Sequence, residues 1–238
     1  MRVAFVGKGG SGKSSTAGTL CRLLARRGLP VLALDVDTMP GLALALGGGL
    51  SGARLPPGLA AREEDRGWQM RKGLRPSTLV DHHAACGPDG VRFLELGKLP
   101  GRVEPSATVA FRYVLERFRR PGWAVVADLA AGTRQPMFGW AGFAGRTLVV
   151  VEPSSASILA ARRLLPTATH MVVNKVRVSN DVELVQQGVP LPVLCAIPYD
   201  EALAEAERRG LAPADAVPDA PAVRAIDALA AWLVQESA

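Results

Sequence analysis

The chain has 238 residues, 48% of them hydrophobic, and its 28 Lys and Arg against 22 Asp and Glu give a net charge of +6. That is enough apolar material for one full α/β core, so no second domain is required. Three scattered cysteines, Cys21, Cys86 and Cys195, exclude a disulfide framework, and no apolar run reaches the ~18–20 residues of a membrane span. Met1 to Phe5 runs straight into a strand and leaves no room for a cleavable signal, so the chain reads as cytoplasmic, with no stable membrane insertion. The arginine-rich positive balance suits a face for phosphate, nucleic acid or an acidic partner protein and identifies none of them.

The first predicted element is the apolar strand Val3 to Val6. Behind it, Gly7-Lys8-Gly9-Gly10-Ser11-Gly12-Lys13-Ser14 fits the phosphate-loop pattern G-x-x-x-x-G-K-[ST], and Ser15 to Arg27 places Ala17, Leu20, Cys21 and Leu24 at helical spacing. Glycines allow the tight turn by which the N–H groups of Gly9, Gly10, Ser11, Gly12 and Ser15 converge on a polyphosphate at the positive end of the helix. In such a loop Lys13 reaches the β- and γ-phosphates and the Ser14 hydroxyl ligates Mg²⁺.

Gly28-Leu29-Pro30 stops the helix, and the strand Val31 to Leu34 delivers Asp35 and Asp37 to its carboxyl end, where ligands bind in open α/β sheets. The alternative for either Asp is a simple turn cap. Residues 47–76, with Gly47-Gly48-Gly49 and Pro56-Pro57-Gly58, break the rhythm and read as a loop excursion, either a mobile surface segment or a partner-binding flap. Arg71, Lys72 and Arg75 beside Trp68 read as solvated surface first and partner contact second. Asp81, His82, His83 and Cys86 collect metal-ligating types in six residues; adjacent histidines diverge, so a surface turn is the plainer reading.

A strand at 91–96 leads to a helix at 106–120 with Phe111, Val114, Leu115 and Phe118 on one face. The strand 123–127 then delivers Asp128, followed four residues later by Gly132. This is the Walker B and switch II arrangement: Asp128 for Mg²⁺, the Gly132 N–H for the γ-phosphate. Phe138, Trp140 and Phe143 in the loop beyond form either a partner surface or ordinary packing. Strands at 147–151, 170–175 and 191–197 follow, with a helix opened by Pro153-Ser154, a helix from Glu201 to Arg209 with Glu205 and Arg209 spaced for an ion pair, a linker at 210–221, and a closing helix at 222–234 that turns Val223, Ile226, Leu229 and Leu233 inward. The alternation of strands and helices predicts one α/β domain over residues 1–238, a mostly parallel sheet flanked by helices on both faces.

The landmarks K-G-G-S-G-K-S, D-V-D, D-L-A-A-G, V-V-N-K and A-I-P-Y-D resemble, in this order, the deviant Walker A ATPases, the family of MinD, ParA, the nitrogenase iron protein, the arsenite-pump ATPase and the CooC-type carbon monoxide dehydrogenase maturation ATPases. The resemblance implies a Mg²⁺- and ATP/ADP-binding switch protein that works as an ATP-dependent homodimer. It implies that Lys8 reaches the partner's nucleotide, that Asp37 orients the attacking water and answers to Mg²⁺ with Asp35 behind it, that Asn174 and the adjoining Lys175 belong to the base site, and that Pro198 and Tyr199 lie over the adenine. Arginine at 177, where guanine readers need Asp, favours adenine. The D-x-x-A-G switch and V-E-P-S-S look most like the CooC branch, although Gly101-Arg102-Val103-Glu104-Pro105 lacks that branch's Cys-x-Cys metal pair. Gly41, where relatives often place Asn or Asp, suggests slow hydrolysis. The resemblance thus implies a maturation or regulatory ATPase with a client protein, or alternatively a ParA-like ATPase whose ATP dimer binds DNA.

Overall fold

Runs that are apolar on both faces can be satisfied only in the middle of a sheet covered on both sides, and the strands of this chain obey that rule. The computed structural model describes residues 1–37, 41–50, 52–97 and 104–237. In chain order these form β1 (Arg2–Gly7), α1 (Lys13–Arg26), β2 (Val31–Asp35), α2 (Leu42–Leu46), the hairpin β3 (Ala60–Glu63) and β4 (Gly67–Met70), α3 (Pro76–His83), β5 (Ala85–Cys86), a short 3-10 turn (Pro88–Gly90) and β6 (Arg92–Glu95). The second half contributes α4 (Pro105–Arg117), β7 (Ala124–Asp128), α5 (Arg134–Met137), β8 (Arg146–Val151), α6 (Ser155–Arg162), β9 (His170–Val176), α7 (Asn180–Gly188), β10 (Val193–Pro198), α8 (Glu201–Arg208), α9 (Pro213–Ala216) and α10 (Pro221–Gln235).

Eight strands make the main sheet in the order β10-β9-β8-β1-β7-β2-β6-β5, and every pairing is parallel except that of β5 with β6. The chain passes from one side of β1 to the other between β7 and β8, so the loop after β1 sits where the winding reverses, the usual place for a ligand crevice. Alternate residues of β1 serve opposite layers. Val3 and Phe5 pack with Leu20 and Leu24 of α1 and Ile226, Leu229 and Leu233 of α10, while Ala4 and Val6 pack with Phe111, Val114 and Leu115 of α4. The expected α/β fold is therefore present, with helices on both faces.

Several expectations change in detail. Residues 47–76 are not a bare loop: the antiparallel hairpin β3–β4 sits on α4, where the Gly58 N–H donates to Ser106 Oγ (2.9 Å) and the Tyr113 hydroxyl to Leu74 O (3.0 Å). Arg71, Lys72 and Arg75 are all exposed as expected, and Arg71 Nε in addition donates to Gly58 O at 2.6 Å at the hairpin's base. The 210–221 segment contains α9, whose Asp215 is gripped by Arg22 and Arg26 of α1. The Glu205–Arg209 pair is replaced by Arg208, the last residue of α8, which meets Glu205 and Glu201; Arg209 already lies past the final turn. Asp81, His82 and His83 end α3 rather than forming a turn, Asp81 pairs with Arg120, and among the described residues no group of three or more His, Cys, Asp or Glu is arranged to hold a metal. Gly101, Arg102 and Val103, where the Cys-x-Cys would stand, lie outside the described residues; Glu104 caps α4, accepting the Ala107 N–H at 2.7 Å.

Candidate functional site

The carboxyl edge of the sheet gathers the predicted residues because register does so. Asp35 of β2 stands opposite Asp128 of β7, and β7 lies beside β1, which feeds the glycine loop. In that loop Gly10 and Gly12 have φ of 80° and 91°, the left-handed region open to glycine. Gly12 has a second reason to lack a side chain: a Cβ there would lie 2.2 Å from Asn174 Nδ2. The Asn174 amide donates to Ser11 O (2.8 Å) and its Oδ1 accepts the Lys175 N–H (2.9 Å), so the end of β9 braces the loop. Lys175 Nζ adds a bond to Gly10 O (2.8 Å) and an ion pair with Glu152 at the end of β8.

Lys13 is 7% exposed and its ammonium donates to Lys8 O across the loop at 3.2 Å. Burial lowers its pKa, opposed by the negative charges of Asp128 and Asp37. Ser14 Oγ donates to Asp128 Oδ2 at 2.5 Å, and the second carboxylate oxygen of this 1% exposed residue, Oδ1, has no hydrogen-bond partner among the described residues. Burial pushes Asp128 up to about 6, against the Ser14 bond and the Lys13 charge. Asp35, wholly buried, is pushed up to about 8 by burial and then by Asp128, although its carboxylate accepts the N–H groups of Leu42 and Asp37, both at 3.0 Å. Asp35 thus supports the backbone that carries Asp37. Asp37 itself acts on both Lys13 and Asp128 through its charge.

A hydroxyl beside a buried carboxylate oxygen without a partner is a donor set for a hard cation of the Mg²⁺ type. Around the corner, Gly12, Ser15, Asn174, Lys175, Pro198 and Tyr199 line one cleft of about 440 Å³ together with Leu203, Glu207 and Ile226. The remaining predicted residues stand apart from this cleft: the Gly132 N–H donates to Gly7 O (3.0 Å), and Lys8 Nζ reaches only as far as Gly9 O (3.3 Å). Gly41 has a steric reason to be glycine, since a Cβ there would lie 3.0 Å from Ser14 Oγ. Of the aromatic residues after Gly132, Phe143 is 7% exposed and belongs to the core, the ordinary-packing reading, while Phe138 is 67% exposed.

Several contacts at the site carry no sequence signal, even where the sequence singles out the residue itself. Glu152 meets Lys175 across 23 positions, and the Arg177 guanidinium stacks 3.6 Å above the Tyr199 ring at the mouth of the cleft. Gln135 joins the Val36 and Ala130 backbones. Glu207 of α8, which lines the cleft, has no sequence signal either.

Known proteins with these features share the architecture. An uncharacterised ATP-binding protein of Methanocaldococcus jannaschii is 28% identical, covering 88% of this chain and 90% of its own length. The carbon monoxide dehydrogenase accessory protein CooC of Rhodospirillum rubrum is also 28% identical, over 92% of this chain and 91% of its own. Among solved structures, the septum site-determining protein MinD of Pyrococcus horikoshii, complexed with Mg-ADP, superposes with a TM-score of 0.73 at 17% identity over 99% of this chain and 96% of that one. A ParA family ATPase of Chlorobium tepidum gives 0.73 at 19% identity, covering 98% of each chain. The family described as the CobQ/CobB/MinD/ParA nucleotide binding domain matches residues 3–214, so the chain belongs to that family.

Proposed function

We propose that this protein is a Mg²⁺-dependent ATPase that works as an ATP-bound homodimer and acts as a switch on a client protein, in the manner of a maturation or regulatory ATPase. The observation that carries the reading is the Asp128 carboxylate, buried, hydrogen-bonded to Ser14 through one oxygen and unpartnered at the other, beside a lysine whose charge is only partly compensated. A metal–polyphosphate would bring a cation to the second oxygen of Asp128 and anionic oxygens to Lys13. Mg²⁺ held by Ser14 and Asp128, with Asp37 near, would supply positive charge to the phosphate oxygens. The loop N–H groups and Lys13 hold the β- and γ-phosphates. Asp37 orients a water for attack on the γ-phosphorus as the bond to the bridging oxygen breaks, giving ADP and inorganic phosphate. Lys8 is the charge offered to the partner's nucleotide.

For the base, Asn174 retains one amide hydrogen and one oxygen lone pair beyond those used on Ser11 and Lys175, enough to read an adenine edge. Pro198 and Tyr199 close the cleft over the ring. The CooC relative, by name an accessory protein of carbon monoxide dehydrogenase, supports a client protein as the partner.

Equilibrium binding of fluorescent ADP and of a non-hydrolysable ATP analogue, with and without Mg²⁺, tests the reading together with phosphate release. Nucleotide affinity should rise with Mg²⁺ and fall by about tenfold or more in Lys13→Ala, ~1.4 kcal/mol for each factor of ten. Binding that ignores both Mg²⁺ and Lys13 would end this proposal.

A further inference from the structure

The segments bearing Asp37 and Asp128 leave adjacent strands, and one side chain holds them together. Gln135, on α5, accepts the Ala130 N–H at its Oε1 (2.8 Å) and donates from Nε2 to Val36 O (3.0 Å). Val36 immediately precedes Asp37 and is wholly buried; Ala130 follows Asp128 by two positions. The Val36 N–H is in turn held by Asp128 O at 2.9 Å, so the peptide groups on both sides of Val36 are tied to the β7 end, one through the backbone and one through Gln135. On its other side the same loop is fixed to the base of the glycine loop by Gly132 N–H to Gly7 O (3.0 Å). A carboxamide can serve an N–H and a C=O at once; an ionised carboxylate of the same length can serve only the N–H, and an apolar side chain neither.

We propose that Gln135 is a positioning residue that makes the Asp37 segment and the Asp128–Gly132 loop respond to a bound nucleotide as one unit. The inference rests on the reading above, in which Asp37 orients water, and on the Gly132 N–H exchanging Gly7 O for the γ-phosphate. Without the amide bridge a change at Gly132 would still move Ala130, but the side-chain link from Ala130 to the Val36 carbonyl would be gone and the Val36–Asp128 backbone bond would carry more of its passage to Asp37. Gln135 touches no reacting atom; it sets where Asp37 stands when the γ-phosphate is present.

The test uses the full chain with Mg²⁺ and either ADP or a non-hydrolysable ATP analogue, following amide hydrogen exchange in peptides spanning 36–46 and 128–138. In the native protein the ATP analogue should slow exchange in both peptides relative to ADP. In Gln135→Ala, and in Gln135→Met, which keeps the length of the side chain while removing both bonds, the 128–138 peptide should still respond and the 36–46 peptide should not. Turnover should fall by about tenfold to hundredfold with KM changed by less than about threefold. Both peptides responding in the variants as in the native protein, or undiminished turnover, would overturn the proposal. Native protein that binds nucleotide and protects neither peptide overturns the coupling and leaves nucleotide binding intact, whereas native protein that binds no nucleotide overturns the reading beneath it.

Discussion

Asp128 sits in opposing fields: burial disfavours its charge, while Ser14 and Lys13 favour it. Its folded-state pKa, about 6, lies above the ordinary 3.8, so the folded protein binds a proton between those values that the unfolded chain has already released. The stability that this proton contributes is fully present below about pH 4 and is lost as pH rises through about 6. Asp35, raised to about 8, extends the same trend to higher pH, whereas His83 and His170, held below their ordinary value by burial, work in the opposite sense as pH falls. Comparison with Asp128→Asn isolates the one carboxyl. Without ligand, the stability of the native protein relative to that variant should fall between pH 4 and pH 6, read as melting temperatures in a pH series. Mg·ADP should reverse the order, because a cation on the open oxygen of Asp128 selects the ionised form. The native protein should therefore gain more from Mg·ADP at pH 7.5 than at pH 5.5, and Asp128→Asn should show little of that difference. Equal gains at both pH values in the native protein would remove Asp128 from the metal site.

At the scale of elements, α1 does more than present its N-terminus to a ligand. Arg22, 2% exposed, donates to Asp89 (2.6 Å), to both oxygens of Asp215 (2.9 and 2.7 Å) and to Leu46 O (2.7 Å), pinning the 3-10 turn, α9 and the end of α2 onto one helix. Arg26 reinforces the same two acids. Arg22→Ala would strand a buried carbonyl and weaken two ion pairs whose acids keep some solvent and Arg26. A loss of about 2–3 kcal/mol in urea unfolding follows, below the full cost of breaking a buried pair. A change under about 0.5 kcal/mol would mean that the cluster behaves as surface charge. This cluster marks the limit of what one sequence reveals. Strands such as Val31–Asp35 and Arg146–Val151 were legible because their apolar runs admit one environment, and Gly7 to Ser14 because its chemistry depends on local spacing. Arg22 gives no such signal, since its acids lie 67 and 193 positions away. The hairpin β3–β4 and α9 escaped for a related reason: each is short and rests on α4 or α1 instead of on its own periodicity.

The molecule packs its helices on both faces of one sheet, yet the ammonium of one conspicuous loop residue meets no acidic side chain among the described residues. Lys8 sits next to the exposed Gly9 and Gly10; its backbone carbonyl accepts the Lys13 ammonium (3.2 Å), while among the described residues its own ammonium makes no hydrogen bond beyond that to Gly9 O at 3.3 Å and no ion pair. A second chain facing this surface would offer its nucleotide to Lys8, and the charge would act on the γ-phosphate during transfer more than on the bound ground state. Lys8→Ala should therefore bind ADP within about twofold of the native protein and lose hydrolysis by about a hundredfold or more, the range of a cation supplied in trans. Light scattering after size exclusion completes the argument. The native protein should show the mass of one chain with Mg·ADP and of two with Mg²⁺ and the ATP analogue, because the γ-phosphate is what the facing lysine completes. Undiminished hydrolysis by Lys8→Ala, with a mass that does not change between the nucleotides, would leave Lys8 a solvated loop residue and place the whole catalytic apparatus within one chain.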